Sequence, residues 1–167
     1  MGFEKFGFIS FASQTRVAKF VDYLQDGKIY GTKCKECGRL QFPPRAHCNR
    51  CLSSKYGWEE LSGDCTLITF TKVEASPATF KEQSPYVIGL AEFVEGPKVF
   101  AWMDKSIPEG EVTIGMKLKL KSSNLPNGNL SYTLCRAETE HELRVVQNPK
   151  SVNPSANEPV ALRAQTG

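Results

Sequence analysis

Four cysteines between residues 34 and 51 constrain the fold of this chain more than any other feature. They form two Cys-x-x-Cys pairs, Cys34/Cys37 and Cys48/Cys51, with ten residues between the pairs. Four thiolates suit a tetrahedral Zn²⁺ ion, and each Cys-x-x-Cys turn, here called a knuckle, supplies two of them from one tight loop. The spacing therefore predicts a closed structural zinc site with no coordination position left open for catalysis.

The residues around the cysteines agree with this interpretation. Gly38 follows the first knuckle, where a residue with positive φ eases the turn, and Pro43-Pro44 stiffens the stretch that returns to the second. His47 is an alternative nitrogen ligand beside Cys48, but four sulfurs already complete the site. A redox dithiol is the alternative chemistry, and a single Cys-x-x-Cys pair would be enough for it.

Length and charge exclude several classes of protein. The chain has 167 residues, enough for one good core or two small modules, and a net charge of only +3, which is too weakly basic to require nucleic acid as a partner. No apolar run reaches the roughly 18 residues that a membrane span needs. The start, "MGFEKFGFIS", lacks a basic segment followed by a continuous apolar one. We expect a cytoplasmic protein with no membrane association, in which disulfides are rare.

The segment before the cysteines predicts one amphipathic helix. In "SQTRVAKFVDYLQDG", Ser13 or Thr15 is the candidate N-cap and Gly27 the residue that ends the helix. Its apolar face consists of Val17, Phe20, Val21 and Leu24. Four phenylalanines precede it, at positions 3, 6, 8 and 11. Such rings must be buried against the chain or a partner.

A run of short β-segments follows the cysteines. Clusters of Gly, Pro, Asn and Ser bound five predicted strands: Cys65–Val73, Tyr86–Phe93, Val99–Met103, Met116–Ser122 and Leu130–Ala137. Asn127-Gly128 is the best hairpin signal, and "ELRVVQ" is a candidate extra strand. The predicted fold class is mainly β, with an N-terminal helix, a zinc ribbon and a five-stranded OB-fold barrel. The expected regions are 1–29, 30–60 and 61–147 for these three parts, then a flexible or partner-bound tail, 148–167.

Five segments, taken in order, carry a resemblance to a known family. They are "GTKCKECGRLQFPPRAHCNRC", "WEELSG", "TLITFTKV", "SPYVIGLAEFVEGPKVFAWM" and "TIGMKLKL". Together they resemble the DUF35 family over roughly Phe20 to Leu120. The resemblance implies a rubredoxin-like zinc ribbon joined to an OB barrel, in an accessory subunit of a thiolase-type enzyme that acts on acyl-CoA. It also implies that coenzyme A or an acyl-CoA is a ligand, bound by this chain or enclosed with its partner.

Basic residues on the predicted ribbon suit the phosphates of CoA. Between residues 33 and 55 the chain has six basic side chains and one acidic one, Glu36. The candidate CoA-binding residues among them are Lys33, Arg39, Arg45 and Arg50. The alternative is that these cations only solvate a small ribbon around a doubly negative thiolate–zinc centre. Phe42, Trp58 and Trp102 are candidates for stacking on adenine, with core packing as the alternative role.

The sequence predicts no catalytic residue. The thiols outside the knuckles are Cys65 and Cys135, both in strand-like apolar segments, and the only histidines are His47 and His141. Buried thiols in such segments are usually inert. We therefore expect a chain that is non-catalytic alone.

The expected partner is a thiolase-fold catalytic subunit in a hetero-oligomer, which supplies the missing nucleophilic cysteine. The interface is predicted on the phenylalanine cluster and the apolar helix face. The substrate is predicted to be a β-ketoacyl-CoA, and an aromatic one, as in a benzoylsuccinyl-CoA-type thiolase, fits the resemblance. Alternatives are a scaffold for a hydroxymethylglutaryl-CoA synthase or for a hydratase or aldolase, and a module that binds single-stranded nucleic acid.

Overall fold

A computed structural model describes residues 2–10 and 14–137 of the chain. One α-helix, α1, spans Lys19–Gln25. Short 3-10 turns lie at Phe3–Lys5, Ala78–Gln83 and Glu109–Glu111. Eight strands follow α1: β1 Ile29–Cys34, β2 Leu40–Gln41, β3 Tyr56–Leu61, β4 Asp64–Val73, β5 Tyr86–Phe93, β6 Lys98–Met103, β7 Lys117–Asn124 and β8 Leu130–Arg136. The predicted fold class, mainly β with one helix, is confirmed.

The first three strands form the ribbon, an antiparallel sheet in the order β2-β1-β3. Thr32 of β1 lies opposite both Gln41 of β2 and Trp58 of β3. A Cβ atom on Gly31 would lie only 2.7 Å from the backbone oxygen of Gln41. Glycine at this position therefore allows the close approach of β1 and β2 that brings the two knuckles together.

The other five strands close into a barrel in the order β4-β5-β6-β8-β7. All neighbours are antiparallel except β6 and β8, which are parallel at Trp102 and Met103. The five predicted strands are confirmed, although β7 starts after Met116 and continues to Asn124. The predicted hairpin joins β7 to β8, and Gly128 adopts a φ of 80° there. Asn127 contributes its side chain instead, accepting a hydrogen bond from the backbone N–H of Asn129 at 3.1 Å.

Helix α1 is shorter than predicted. It begins at Lys19, and the hydroxyl of Thr15 accepts a hydrogen bond from the N–H of Val17 at 3.4 Å in the turn that precedes it. The alternative cap, Ser13, lies outside the described residues. Gly27 follows the helix with a φ of 74°, as predicted for its end.

The predicted partner interface on the helix face is wrong. Phe20, Val21 and Leu24 are at most 1% exposed, because α1 packs into the core of this same chain. Phe20 and Leu24 belong to a cluster that also includes Phe42 from the ribbon and Phe93 from the barrel. The helix face therefore joins the ribbon to the barrel, and one continuous core crosses the predicted boundary between residues 60 and 61.

Most of the phenylalanine cluster also packs within the chain. The ring of Phe6 lies 5.8 Å from Phe20 and 5.9 Å from Tyr132, and the ring of Phe8 lies 5.4 Å from Trp102. A backbone hydrogen bond of 2.9 Å from Gly7 to Leu130 holds this segment beside β8. Of the two alternatives, burial against the chain or against a partner, these rings meet the first in part, because Phe6 and Phe8 pack on the chain but stay half-buried. Phe11 lies outside the described residues.

Some predictions fall on residues that the structure does not describe. They are the extra strand at 142–147, the tail at 148–167 and His141. Among the described residues, no helix combines the length and the apolar composition that a membrane crossing requires.

Candidate metal centre

The two knuckles bring all four predicted sulfurs together. The Sγ atoms of Cys34, Cys37, Cys48 and Cys51 all lie within 4.8 Å of one another. Cys34 Sγ lies 3.6 Å from Cys51 Sγ, and Cys37 Sγ lies 3.5 Å from Cys48 Sγ. Tetrahedral coordination with zinc–sulfur bonds of 2.3 Å requires sulfur–sulfur distances of about 3.8 Å. The sulfur cluster therefore has close to the dimensions that Zn²⁺ needs.

The knuckles share one backbone geometry. In the first, the N–H of Gly38 donates to the carbonyl of Cys34 at 3.0 Å, and in the second, the N–H of Leu52 donates to the carbonyl of Cys48 at 3.0 Å. Gly38 and Leu52 both have positive φ, 70° and 59°. Sequence reasoning found Gly38 but missed Leu52. Its position directly after a knuckle was the available signal.

Backbone amides prepare two of the thiols for ionisation. The N–H groups of Cys51 and Arg50 point at the sulfur of Cys48 and lower the pKa of its thiol to about 6. The N–H groups of Cys37 and Glu36 likewise lower the pKa of Cys34, against an opposing effect of burial. A hydrogen bond to a thiolate favours the charged form, which is the form that ligates a metal.

Two buried polar side chains hold the loop between the knuckles. Thr32 is fully buried; its hydroxyl accepts from the N–H of Arg45 at 2.9 Å and lies 3.2 Å from the carbonyl of the same residue. The amide oxygen of Gln41 accepts from the N–H of Asn49 at 3.1 Å, directly after Cys48. Sequence reasoning missed both residues, because a strand position does not reveal a partner in a distant loop.

His47 is not among the clustered groups. Its side chain is exposed, and the metal-ligating cluster found among the described residues consists of the four sulfurs. The expectation that sulfur completes the site without this histidine agrees with the geometry.

The structure brings together only part of the predicted CoA-binding set. Arg39 and Arg45 line a polar cleft of about 560 Å³ between the ribbon and the β5–β6 turn, together with Lys98 from the barrel. Lys33 instead pairs with Glu59 on β3 at 2.8 Å. Arg50 is exposed and does not line the cleft. Lys98 is a cation that the sequence could not assign to the ribbon, because it lies 48 residues beyond Arg50.

The two remaining thiols and the three candidate stacking rings pack mainly against other side chains of this chain. Burial raises the pKa of the Cys65 thiol to about 11 and also raises that of Cys135, which favours the uncharged and unreactive form of both. Phe42 is 7% exposed and belongs to the core. Trp58 packs edge-on against Tyr23 at 5.3 Å, and Trp102 is half-buried on the barrel.

Comparison with family models matches both parts of the fold. Residues 21–57 match a model described as the rubredoxin-like zinc ribbon domain of ChsH2, and residues 58–122 match the C-terminal OB-fold domain of ChsH2. A DUF35 domain-containing scaffold protein of Pyrococcus furiosus is 36% identical over 93 residues, which cover 56% of this chain and 67% of the relative. The chain belongs to the DUF35 family. The match to another DUF35 scaffold protein, from Methanocaldococcus jannaschii, is 37% identical and covers 54% of this chain but only 64% of that relative.

A solved structure shares the fold of this DUF35 protein. It is described as the Ltp2-ChsH2(DUF35) aldolase, and it aligns with a TM-score of 0.64 and 21% identity over 75% of this chain and 98% of the other. At that identity the likeness establishes the fold alone. The DUF35 resemblance and the ribbon-plus-barrel architecture predicted from the sequence are confirmed.

Proposed function

We propose that this DUF35 protein is a zinc-containing, non-catalytic scaffold subunit of an acyl-CoA enzyme complex. Its catalytic partner is a thiolase-fold subunit that forms or cleaves a β-ketoacyl-CoA. This proposal rests mainly on one observation: the relatives that match this chain are described as scaffold proteins. The burial of Cys65, which raises the pKa of its thiol, supports it, because a thiolase nucleophile must be readily ionised.

The proposed zinc ligands are Cys34, Cys37, Cys48 and Cys51. A bound Zn²⁺ ion would supply a structural crosslink between the two knuckles. The lowered pKa of Cys48 favours the thiolate form that binds a metal, and the positive φ of Leu52 belongs to the turn that places the second pair of sulfurs. This chain would supply the four sulfur ligands, and a bound ion would hold in place the segment between the knuckles, which carries Arg39 and Arg45.

The proposed contact with CoA lies at the polar cleft between ribbon and barrel. The side chains of Arg39, Arg45 and Lys98 make no hydrogen bond or ion pair with another described residue, so their donors are available. Glu95 is the acid in the cleft lining and accepts the N–H of Ser62 at 2.7 Å, so three cations face one carboxylate and the cleft is net positive. One guanidinium group can donate two parallel hydrogen bonds to two phosphate oxygens. This geometry suits the diphosphate and the 3′-phosphate of CoA. Lys33 and Arg50, also predicted, have less support because they lie outside this cleft.

The proposed partner contact is an apolar groove between the N-terminal segment and β6. The groove measures about 340 Å³ and includes Phe8, Phe80 and Trp102 in its lining. Ile9 and Phe100, also in the lining, are 56% and 61% exposed, and unlike Ile114, which is exposed outside this groove, they adjoin other apolar side chains within it. An apolar surface of this kind favours a stable subunit interface.

The second candidate function is a scaffold for an aldolase that acts on a CoA-linked substrate. The structural neighbour described as an aldolase, in which a DUF35 protein is joined to Ltp2, favours it. Both candidates assign the same role to this chain and differ in the chemistry of its partner. Nucleic-acid binding has less support, because the family relatives are named as scaffolds.

Co-expression with thiolase-fold proteins of the same genome tests the proposal. We expect one of them to co-elute with this chain in size-exclusion chromatography and to lose activity or stability without it. Thiolysis and retro-aldol assays on acyl-CoA substrates then separate the two candidates. Phe100→Glu should abolish co-elution, whereas Ile114→Glu, at a residue that is 69% exposed outside the groove, should not. Separate elution of every pair, with full activity of each catalytic protein alone, would refute the scaffold role.

A further inference from the structure

We propose that a second pocket, on the barrel, binds an uncharged small molecule that carries hydroxyl or amide groups on an apolar frame. The pocket measures about 370 Å³, within the usual range for small-molecule sites. It is formed where the ends of β4, β6 and β7 meet the start of β5 and the loop that follows β6. It shares neither the cations of the polar cleft nor the sulfurs of the metal centre.

The apolar part of the pocket is built from the barrel itself. The rings of Tyr86 and Trp102 line it, 4.9 Å apart between centroids and inclined by 35°. Met103 and Ile107 add buried side chains, 6% and 5% exposed. Aromatic faces backed by an ordered core offer a flat, rigid surface to the C–H groups of a ligand.

Hydrogen-bonding groups converge on the same space. The hydroxyls of Ser123 and Thr133 bond to each other at 2.8 Å, which leaves one hydroxyl donor and several lone pairs for a ligand. The side-chain amides of Gln83 and Asn124 also line the pocket and have no hydrogen-bond partner among the described residues. Amides and hydroxyls around an apolar floor fix the orientation of a polar but uncharged molecule.

The charges of the pocket lining balance. Two lysines and two acids line it, and Lys72 is held by Glu109 in the lining and by Glu74, each at 2.9 Å. Asp104 accepts the N–H of Ser106 at 2.9 Å. Lys105, the other lysine, is exposed and has no ion pair among the described residues, but the carboxylate of Asp104 lies next to it in the lining. A nucleic-acid strand or a phosphate group needs an excess of cations, which the cleft of Arg39, Arg45 and Lys98 has and this pocket does not. Charge balance therefore favours an uncharged ligand here.

Two sources could supply this chemistry. One is the pantetheine arm of the acyl-CoA in the proposed function, which carries two amides and a hydroxyl on an aliphatic chain; this source rests on that function. The other is a neutral sugar, which is independent of it. Both use the same amide, hydroxyl and aromatic groups of the pocket.

Tryptophan fluorescence gives a direct readout of binding. The chain has two tryptophans, so Trp58→Phe leaves Trp102 in the pocket wall as the reporter. The metal-loaded variant is titrated with pantetheine, with maltotriose and with a ten-residue oligothymidylate. We expect a saturable change with one of the uncharged probes, which identifies the source, and none with the oligonucleotide. If Trp58→Phe does not fold, backbone amide NMR shifts of Tyr86 to Val87 and Ser123 to Leu125 report the same titrations in the unmodified chain.

A matched pair of variants tests the location. Thr133→Val removes a pocket hydroxyl and keeps a β-branched side chain, so affinity should fall about three- to tenfold. Thr71→Val makes the same change at an exposed β4 residue outside the pocket and should leave affinity unchanged. The proposal is overturned if neither uncharged probe binds, if the oligonucleotide changes the Trp102 signal, or if both variants behave alike. These outcomes do not depend on co-elution with a partner, so they are separable from a failure of the scaffold role.

Discussion

At the scale of single residues, Leu52 is the position where the backbone of the metal centre is least suited to its side chain. It is 80% exposed and has a φ of 59°, in the same place that glycine occupies in the first knuckle. A residue other than glycine in this conformation costs about 1 kcal/mol or more. Leu52→Gly should therefore raise the free energy of unfolding of the metal-loaded protein by about 0.5–1 kcal/mol, measured in urea.

The control for this prediction is Leu52→Ala. It removes the same exposed apolar side chain but keeps the Cβ atom that disfavours positive φ. Equal stabilisation by alanine and glycine would show that exposure of the leucine, and not its backbone, determines the effect.

Burial in the core strongly changes the ionisation of the Cys65 thiol. Burial raises the pKa of its thiol to about 11, so at pH 8 the reactive thiolate is a small fraction of the folded protein. Its alkylation by iodoacetamide, followed by mass spectrometry, should be far slower than that of free cysteine at pH 8. Between about pH 9 and 11 the unfolded chain loses this proton before the folded one does, so rising pH should destabilise the fold. Alkylation at the rate of free cysteine, in folded protein at pH 8, would contradict the inert role.

At the scale of elements, we expect the ribbon to depend on its metal centre more than the barrel does. Strand β2 has only two residues, and the loop between the knuckles is held by Thr32, by Gln41 and by the knuckles themselves. The purified protein should contain one zinc per chain, and Cys34→Ser should lose it and disorder the ribbon. Cys135→Ser, at a half-buried thiol outside the sulfur cluster, should retain the metal. Elemental analysis decides this, and freshly prepared protein without stoichiometric metal would contradict the assignment.

The sequence predicted those elements whose signal is local. The knuckles follow from spacing, and the barrel strands follow from β-rich segments bounded by turn residues, so β4 to β8 lie within a few residues of their predicted bounds. Helix α1 shows the limit: its apolar face was apparent, but the surface that covers it is formed by Phe42 and the barrel, which are distant in sequence. The same reason explains why Arg39 and Arg45 could not be grouped with Lys98. Contacts between distant segments leave no periodic pattern in the chain.

At the scale of the whole molecule, the buried helix and Phe42 make ribbon and barrel share one core. The ring of Phe42 lies 5.9 Å from Phe20 and 5.1 Å from Phe93, so it contacts both the helix and β5. Such a core fixes the loop between the knuckles, with Arg39 and Arg45, relative to the apolar groove on the barrel. The proposed scaffold role requires a fixed geometry of this kind between its two proposed binding surfaces.

Native mass spectrometry of the protein co-expressed with its proposed catalytic subunit tests the central claim most directly. We predict a hetero-oligomer whose mass includes this chain with one zinc ion per copy, and whose catalytic subunit alone has little activity on acyl-CoA. Phe100→Glu should shift the population to separate subunits and leave the zinc in place. This chain found only at its own mass, beside a fully active catalytic protein, would contradict the scaffold role.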